Sequence, residues 1–292
     1  MTSSPARPRF SVRIGKAEPE FDGPYEDMPP HLNTPLRNWV AYVLGYESDG
    51  RMPAFGEQMA RKICLQLRFS AQPNPSRSPF AESLVHCHVT DLLDVIDTIL
   101  GQQRALSIKK EIVDFLDDTL SDGGSAYCVA ENRDSLEERV APAVRNAVHR
   151  TVTDASGLPS AGSAGDHLAT AWTAAYGRAP EPVRAYSEAI KAVEAAAHSV
   201  VQPNNAKATL GTMLGELHNA RHKFDTALST PPGEDPIAPV EEAMRSLWQG
   251  QTSRHGGQAA TVPESLEAAR AGVHLAAMLV QWFVSGAVIR KQ

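Results

Sequence analysis

A chain of 292 residues, 42% of them hydrophobic, is long enough for one large domain or two of ordinary size and too apolar to be mainly disordered. Its formal net charge of -6 argues against non-specific binding to nucleic acid but leaves room for a local basic site. Three widely spaced cysteines, Cys64, Cys87 and Cys128, form no disulfide framework and point to a reducing, cytoplasmic setting.

No apolar stretch follows Arg7 and Arg9, so the first residues do not read as a secretory signal. Residues 1–33 lack periodicity and carry Pro24, Pro29 and Pro30, which predicts an extended arm. A helix is expected after Thr34 as N-cap, with Pro35 in its first turn and Leu36, Trp39, Val40 and Val43 along it. A second is expected from Ala54 to Phe69 on Met59, Ile63 and Leu67, and a proline-bearing loop, Ser70 to Pro79, separates it from a third that runs to Leu100. A fourth, from Ala105 to Leu120 on Ile108, Ile112, Phe115 and Leu116, completes an N-terminal helical domain over 34–120.

Residues 121–164 read as a connector. Asp122-Gly-Gly124 is a turn signal, and Ser125 to Ala130 is a short β-forming run. One brief strand is not stable alone, so a two-stranded ribbon near residues 122–131 is expected, its partner unassigned. Asp134 is the candidate N-cap of a helix to Thr153 with Leu136, Val140, Val144 and Val148 on one face. The small residues of Ser156 to Gly165 predict a flexible linker.

The remaining residues, 165–292, are the more regular part. Helices are expected over His167–Tyr176 (stopped by Gly177), Pro182–Val200, Lys207–Leu228 and Pro239–Trp248. A loop from Gln249 to Gly257 then leads into a final helix over Glu264–Ile289, in which Leu266, Ala269, Val273, Ala276, Val280, Val284 and Ala287 recur at helical spacing. A helix apolar over most of its circumference is buried on several sides, so it reads as the central post of a bundle. His274 and Gln281 interrupt its apolar run, which favours a core helix over a membrane span. The fold class is mainly α: a multi-helix bundle with at most a short β-ribbon.

Candidate chemistry is sparse. His218 and His222 stand four apart with Glu216 and Asp225 nearby, a spacing that can share a metal, but no third ligand stands at a recognisable distance and an exposed polar face is the simpler reading. His86-Cys87-His88 points three ways on a helix. No phosphate-binding glycine loop or nucleophile elbow is present, and no cofactor or metal is expected.

Ala185-Tyr-Ser-Glu-Ala-Ile-Lys-Ala-Val-Glu-Ala195, Ala208-Thr-Leu-Gly211 and Arg254-His-Gly256 ahead of an Ala-rich helix together carry a resemblance over about residues 165–292. This segment resembles the C-terminal domain of bacterial abortive-infection-like proteins, itself similar to the HEPN superfamily of helical bundles, several of which are metal-independent RNases. The resemblance implies phage defence, RNA as partner, a site shared across a homo-oligomer, and His255 as acid or base with an arginine, Arg254 or Arg245, on the phosphorane charge. Glu194 and Lys191, three residues apart, are the polar pair the second bundle helix would supply. HEPN nucleases separate the Arg and His by four to six residues. Here Arg254 adjoins His255 and Arg245 precedes it by ten, so neither has that spacing. Three readings follow: an RNase; a non-catalytic module of the same kind that binds nucleic acid or protein; and a helical oligomerisation scaffold in which Arg254 and His255 only cap a helix and bond a loop.

Overall fold

The computed structural model describes residues 10–14, 16, 24–46, 54–70, 78–253 and 261–291. The chain is mainly α-helical and divides into two compact units, Met1–Arg139 and Val140–Gln292. The stretch read as a connector is shared out between them: its strand lies in the first unit and its helix in the second.

The first unit comprises α1 (Phe10–Arg13), α2 (Pro30–Leu44), α3 (Ala54–Leu67), α4 (Pro79–Val85), α5 (Leu92–Gly101), α6 (Gln103–Leu106), α7 (Lys110–Asp122), β1 (Tyr127–Val129) and β2 (Leu136–Glu138). α2 begins a turn earlier than expected, with Pro30 in its first turn and Pro35 inside it. Tertiary contacts hold that extra turn: Leu32 is buried against Gly123, and His31 Nε2 bonds the Gly123 carbonyl at 3.0 Å. The expected third helix breaks in two at His86–His88. Both ends of α4 are tied by charge. Glu57 accepts from the backbone N–H of Phe80 and Ala81, while Arg37 donates to the carbonyls of Val85 and Cys87 at 2.5 and 2.7 Å. Each ion thus sits where the helix dipole favours it.

The ribbon's missing partner is the segment expected to start a helix at Asp134. β2 pairs antiparallel with β1 in the register Tyr127↔Glu138 and Val129↔Leu136. Two helix carboxylates fix the hairpin, Asp117 accepting from Val129 N and Asp97 from Leu136 N. Leu36, Ile63, Leu92, Ile96, Leu116 and Leu136 are among the fully buried side chains of this unit's core.

The second unit comprises α8 (Pro142–Ser156), α9 (Ala164–Tyr176), α10 (Pro182–Val201), α11 (Leu210–Asn219), β3 (Phe224–Thr226), α12 (Ala238–Gln249), α13 (Leu266–Val284) and β4 (Val288–Arg290). α13 packs on α8, α9, α10 and α12, and Ala269, Val273, Ala276, Leu279 and Val280 are fully buried along it. Ser265 caps its start by accepting from Ala268 N. The ring of Tyr186 lies where a side chain at Gly272 or Gly250 would stand, and its hydroxyl donates to the Leu247 carbonyl at 3.1 Å. No described helix is long and apolar enough to cross a membrane.

Three expectations change here. Ser156–Gly165 is not a linker but a tight corner around a short 3-10 turn, with Ala161, Ala164 and Gly165 buried. Its small residues permit the approach: a Cβ on Gly165 would stand 2.2 Å from Ser156 Oγ. The helices expected over Lys207–Leu228 and Glu264–Ile289 both end early, and for one reason. Their last residues are each other's strand partners, Phe224 pairing with Arg290 and Thr226 with Val288, with Phe224 and Val288 fully buried. Gly286 makes the turn at φ +73°, a conformation glycine adopts without strain. Arg290 then donates to the carbonyls of Val200 and Val201, closing the last turn of α10.

Candidate functional site

α12 is amphipathic, with Val240, Met244 and Leu247 on its buried stripe. One turn from its start and at the border of that stripe stands Glu241, whose side chain is buried. A buried carboxylate is costly unless paired, and this one is paired on both oxygens. Oε2 accepts from Arg221 Nη2 at 2.5 Å. Oε1 accepts from Arg245 Nη2 and, at 3.2 Å, from His218 Nδ1. Arg221 also donates to Asp235 Oδ2 at 3.2 Å, and Asp235 Oδ1 accepts from Ile237 N just ahead of α12.

The donors come from distinct elements. His218 is in the last turn of α11, Arg221 in the 3-10 turn that follows it, and Arg245 one turn along α12 from Glu241. α11 and α12 pack together, which lays the C-terminal end of one over the first turn of the other. The side chains of His218, Arg221 and Arg245 remain 62%, 37% and 40% exposed, against 3% for Glu241. A hidden anion therefore anchors three outward-facing cationic or hydrogen-bonding groups. Burial pushes the Glu241 carboxyl up, but the Arg245 hydrogen bond, the Arg221 charge and the His218 hydrogen bond outweigh it and hold its pKa below the ordinary carboxylate value. An ionised carboxylate can only accept, so Nδ1 of His218 carries the proton and Nε2 is left with its lone pair in the neutral ring.

The residues singled out in the sequence are dispersed. Arg245 joins the Glu241 cluster. Lys191 instead donates to Glu188 Oε1 at 2.8 Å, and Glu188 Oε2 binds His167 Nδ1 at 2.6 Å. Glu194 accepts from Leu210 N at 2.6 Å and so ties the first turn of α11 to α10. Among the described residues Arg245, Lys191 and Glu194 share no hydrogen-bond partner. Arg254 and His255 lie outside the described residues. On either side of that stretch, Thr252 Oγ1 donates to the Val262 carbonyl, and Ser253 donates through both N and Oγ to Oε1 of buried Glu264.

His218, Arg221, Asp235 and Glu241 were not gathered into a site by sequence reasoning. The Glu241–Arg245 spacing of four was legible as a helical ion pair; the convergence of His218 and Arg221 on it depends on how α11 meets α12. Among the described residues no group of three or more His, Cys, Asp or Glu side chains is placed to hold a metal ion. Elsewhere in this unit a concavity of about 450 Å³ runs between α8 and α13 and is lined mainly by apolar side chains such as Val144, Val148, Met278 and Trp282, with His274 in its wall. Comparison with family models, curated proteins and solved structures finds no match.

Proposed function

We propose that the Val140–Gln292 unit binds and cleaves RNA without a metal, in the manner of an abortive-infection-like defence protein, and works in the cytoplasm as a homo-oligomer. One observation carries the reading: Arg221 and Arg245 are both held on the buried carboxylate of Glu241, one on each oxygen, each with its side chain partly exposed. A planar fork pre-set by a buried anion suits a phosphodiester, because its orientation is fixed before the ligand arrives. The same fork stabilises the additional charge of a phosphorane, where a single well-placed donor is worth roughly 10²–10³ in rate. Arg245 is also one of the two arginines that the family resemblance nominates as partner to His255.

A second reading, a non-catalytic RNA- or protein-binding module, draws on the engagement of Lys191 with Glu188 and of Glu194 with the first turn of α11. Incubating the full chain with single-stranded RNA in EDTA separates the two. Cleavage that leaves a 2′,3′-cyclic phosphate, and that falls at least a hundredfold in Arg245→Ala, supports the nuclease. Binding without cleavage, weakened by the same substitution, supports the module. If neither binding nor cleavage responds to Arg245→Ala, the reading is wrong.

A further inference from the structure

We propose that His218 is the general base of this site, set in its working tautomer by Glu241, so that the imidazole acting on RNA comes from α11. The proposal rests on the RNA reading above and adds a catalytic residue that reading does not contain. Three facts place it. Glu241 is buried with both oxygens occupied, so its direction relative to the imidazole is fixed. The bond is to Nδ1, so the base-competent Nε2 lies on the far edge of the ring, and that ring is the most exposed of the cluster. Arg245 and His218 donate to the same oxygen, Oε1, so a guanidinium and an imidazole stand within one carboxylate's reach of each other. A nucleophile's base oriented by a third group, with a cation beside it for the developing charge, is the arrangement that acyl- and phosphoryl-transfer sites share.

The step this permits is transesterification. Nε2 of His218 takes the proton of a ribose 2′-OH as O2′ bonds to the adjacent phosphorus. The P–O5′ bond breaks, and O5′ leaves with a proton supplied by water, whose hydroxide is neutralised by the proton that His218 then releases. The products are a 2′,3′-cyclic phosphate and a 5′-hydroxyl, with no net consumption of water. Arg245 and Arg221 face the non-bridging oxygens, where charge accumulates. A 2′-deoxy residue at the cleaved position removes the nucleophile, so the substrate class is RNA and not DNA.

His222 supplies an internal control: it is exposed on the same 3-10 turn as Arg221 and has no hydrogen bond to Glu241. The experiment measures RNA cleavage in EDTA by the full chain and by His218→Ala, His222→Ala and His255→Ala, with a thermal melt of each. The expected result is a fall in kcat of roughly 10²–10⁴-fold for His218→Ala with KM within about threefold, a melt lowered by no more than a few degrees, and partial recovery on adding free imidazole. Recovery by imidazole is not produced by a merely structural role. His222→Ala is expected to match the parent. If the parent cleaves RNA and His218→Ala stays within about threefold of it while His255→Ala is inactive, the assignment to His218 is overturned and the RNA reading stands. If the parent chain cleaves no RNA, both fall together.

Discussion

Glu241→Gln tests the anchor of the site directly, because the two side chains match in shape and differ in charge. The carboxylate accepts three charge-assisted hydrogen bonds, two on Oε1 and one on Oε2. Such bonds are each worth about 1.5–3 kcal/mol, but that sum is not what is lost. The two arginine side chains are more than a third exposed and regain water, and the amide keeps one accepting oxygen. What remains is one amide NH₂ facing donors in a buried position, and about 2–3 kcal/mol of lost stability is the expected total. For a unit of about 150 residues this lowers Tm by roughly 5–10 °C. The pH dependence gives the sharper test. The folded carboxyl titrates below its ordinary value, so its contribution is complete above about pH 5 and disappears as pH falls through the folded pKa. Urea melts of the parent and Glu241→Gln should therefore differ above about pH 5, and the difference should shrink as pH falls through the folded pKa, which lies below the ordinary carboxylate value. A difference that persists undiminished in acid, or is missing at neutral pH, refutes the view that an ionised Glu241 holds the cluster.

Gly272→Ala sets two opposed effects against each other. Helix propensity favours alanine by about 1 kcal/mol, but the new Cβ would stand 2.9 Å from Tyr186 Cε2 in a packed core, where overpacking costs about 1–3 kcal/mol. The variant should be the less stable by urea melt, and Tyr186→Leu should narrow the gap; a gain in stability from Gly272→Ala alone rejects the contact. The thiols of Cys64, Cys87 and Cys128 are buried, and burial pushes Cys64 up to about 11. Native protein at pH 8 should accordingly resist thiol-reactive reagents for many minutes and react at all three cysteines in urea; rapid native labelling of Cys64 contradicts the burial. His149 and His274 are half-buried and their pKa values are lowered by that burial. Their NMR titration midpoints should fall below the free value of about 6.5, and the stability they confer should be complete above that pH and decline as it falls through the folded values; midpoints at or above 6.5 contradict this.

The fold was legible wherever local pattern and tertiary demand agree. Pro182–Val201 has proline at its start, a clean apolar stripe and a polar stop, and it appears as a helix within a residue of the expected bounds. The errors share a cause. Leu136, Phe224 and Val288 all fit a helical stripe by spacing, yet each is buried in a three-residue strand whose partner lies elsewhere in the chain. A pattern of three residues is too short to separate a period of two from a period of 3.6, so only the partner decides. The corner at Ser156–Gly165 misled for a different reason. Small residues permit both flexibility and close packing, and Gly165 against Ser156 belongs to the second kind.

The site was less legible than the fold because its organising residue is disguised by its own surroundings. On an α-helix Glu241 lies about 100° round from Val240, at the edge of the apolar stripe, and Arg245 follows it by one turn. Read along the chain, that is an ordinary solvated ion pair, worth a few tenths of a kcal/mol. What turns it into a buried hub is the arrival of Arg221 and His218, 20 and 23 residues away in sequence. The same burial is what gives the cluster its chemical character. An exposed glutamate would let each partner rotate freely, whereas a desolvated one with both oxygens bonded fixes the imidazole's tautomer and anchors one Nη2 of each guanidinium. Orientation of this kind is what the proposed RNA site would use; a core that needed stability alone would be served as well by an apolar residue at position 241. Replacing Glu241 by methionine separates these roles: it should keep more of the fold's stability than glutamine does while abolishing the dependence of RNA binding or cleavage on Arg245 and His218. Retention of both in Glu241→Met shows that the cluster is packing and nothing more.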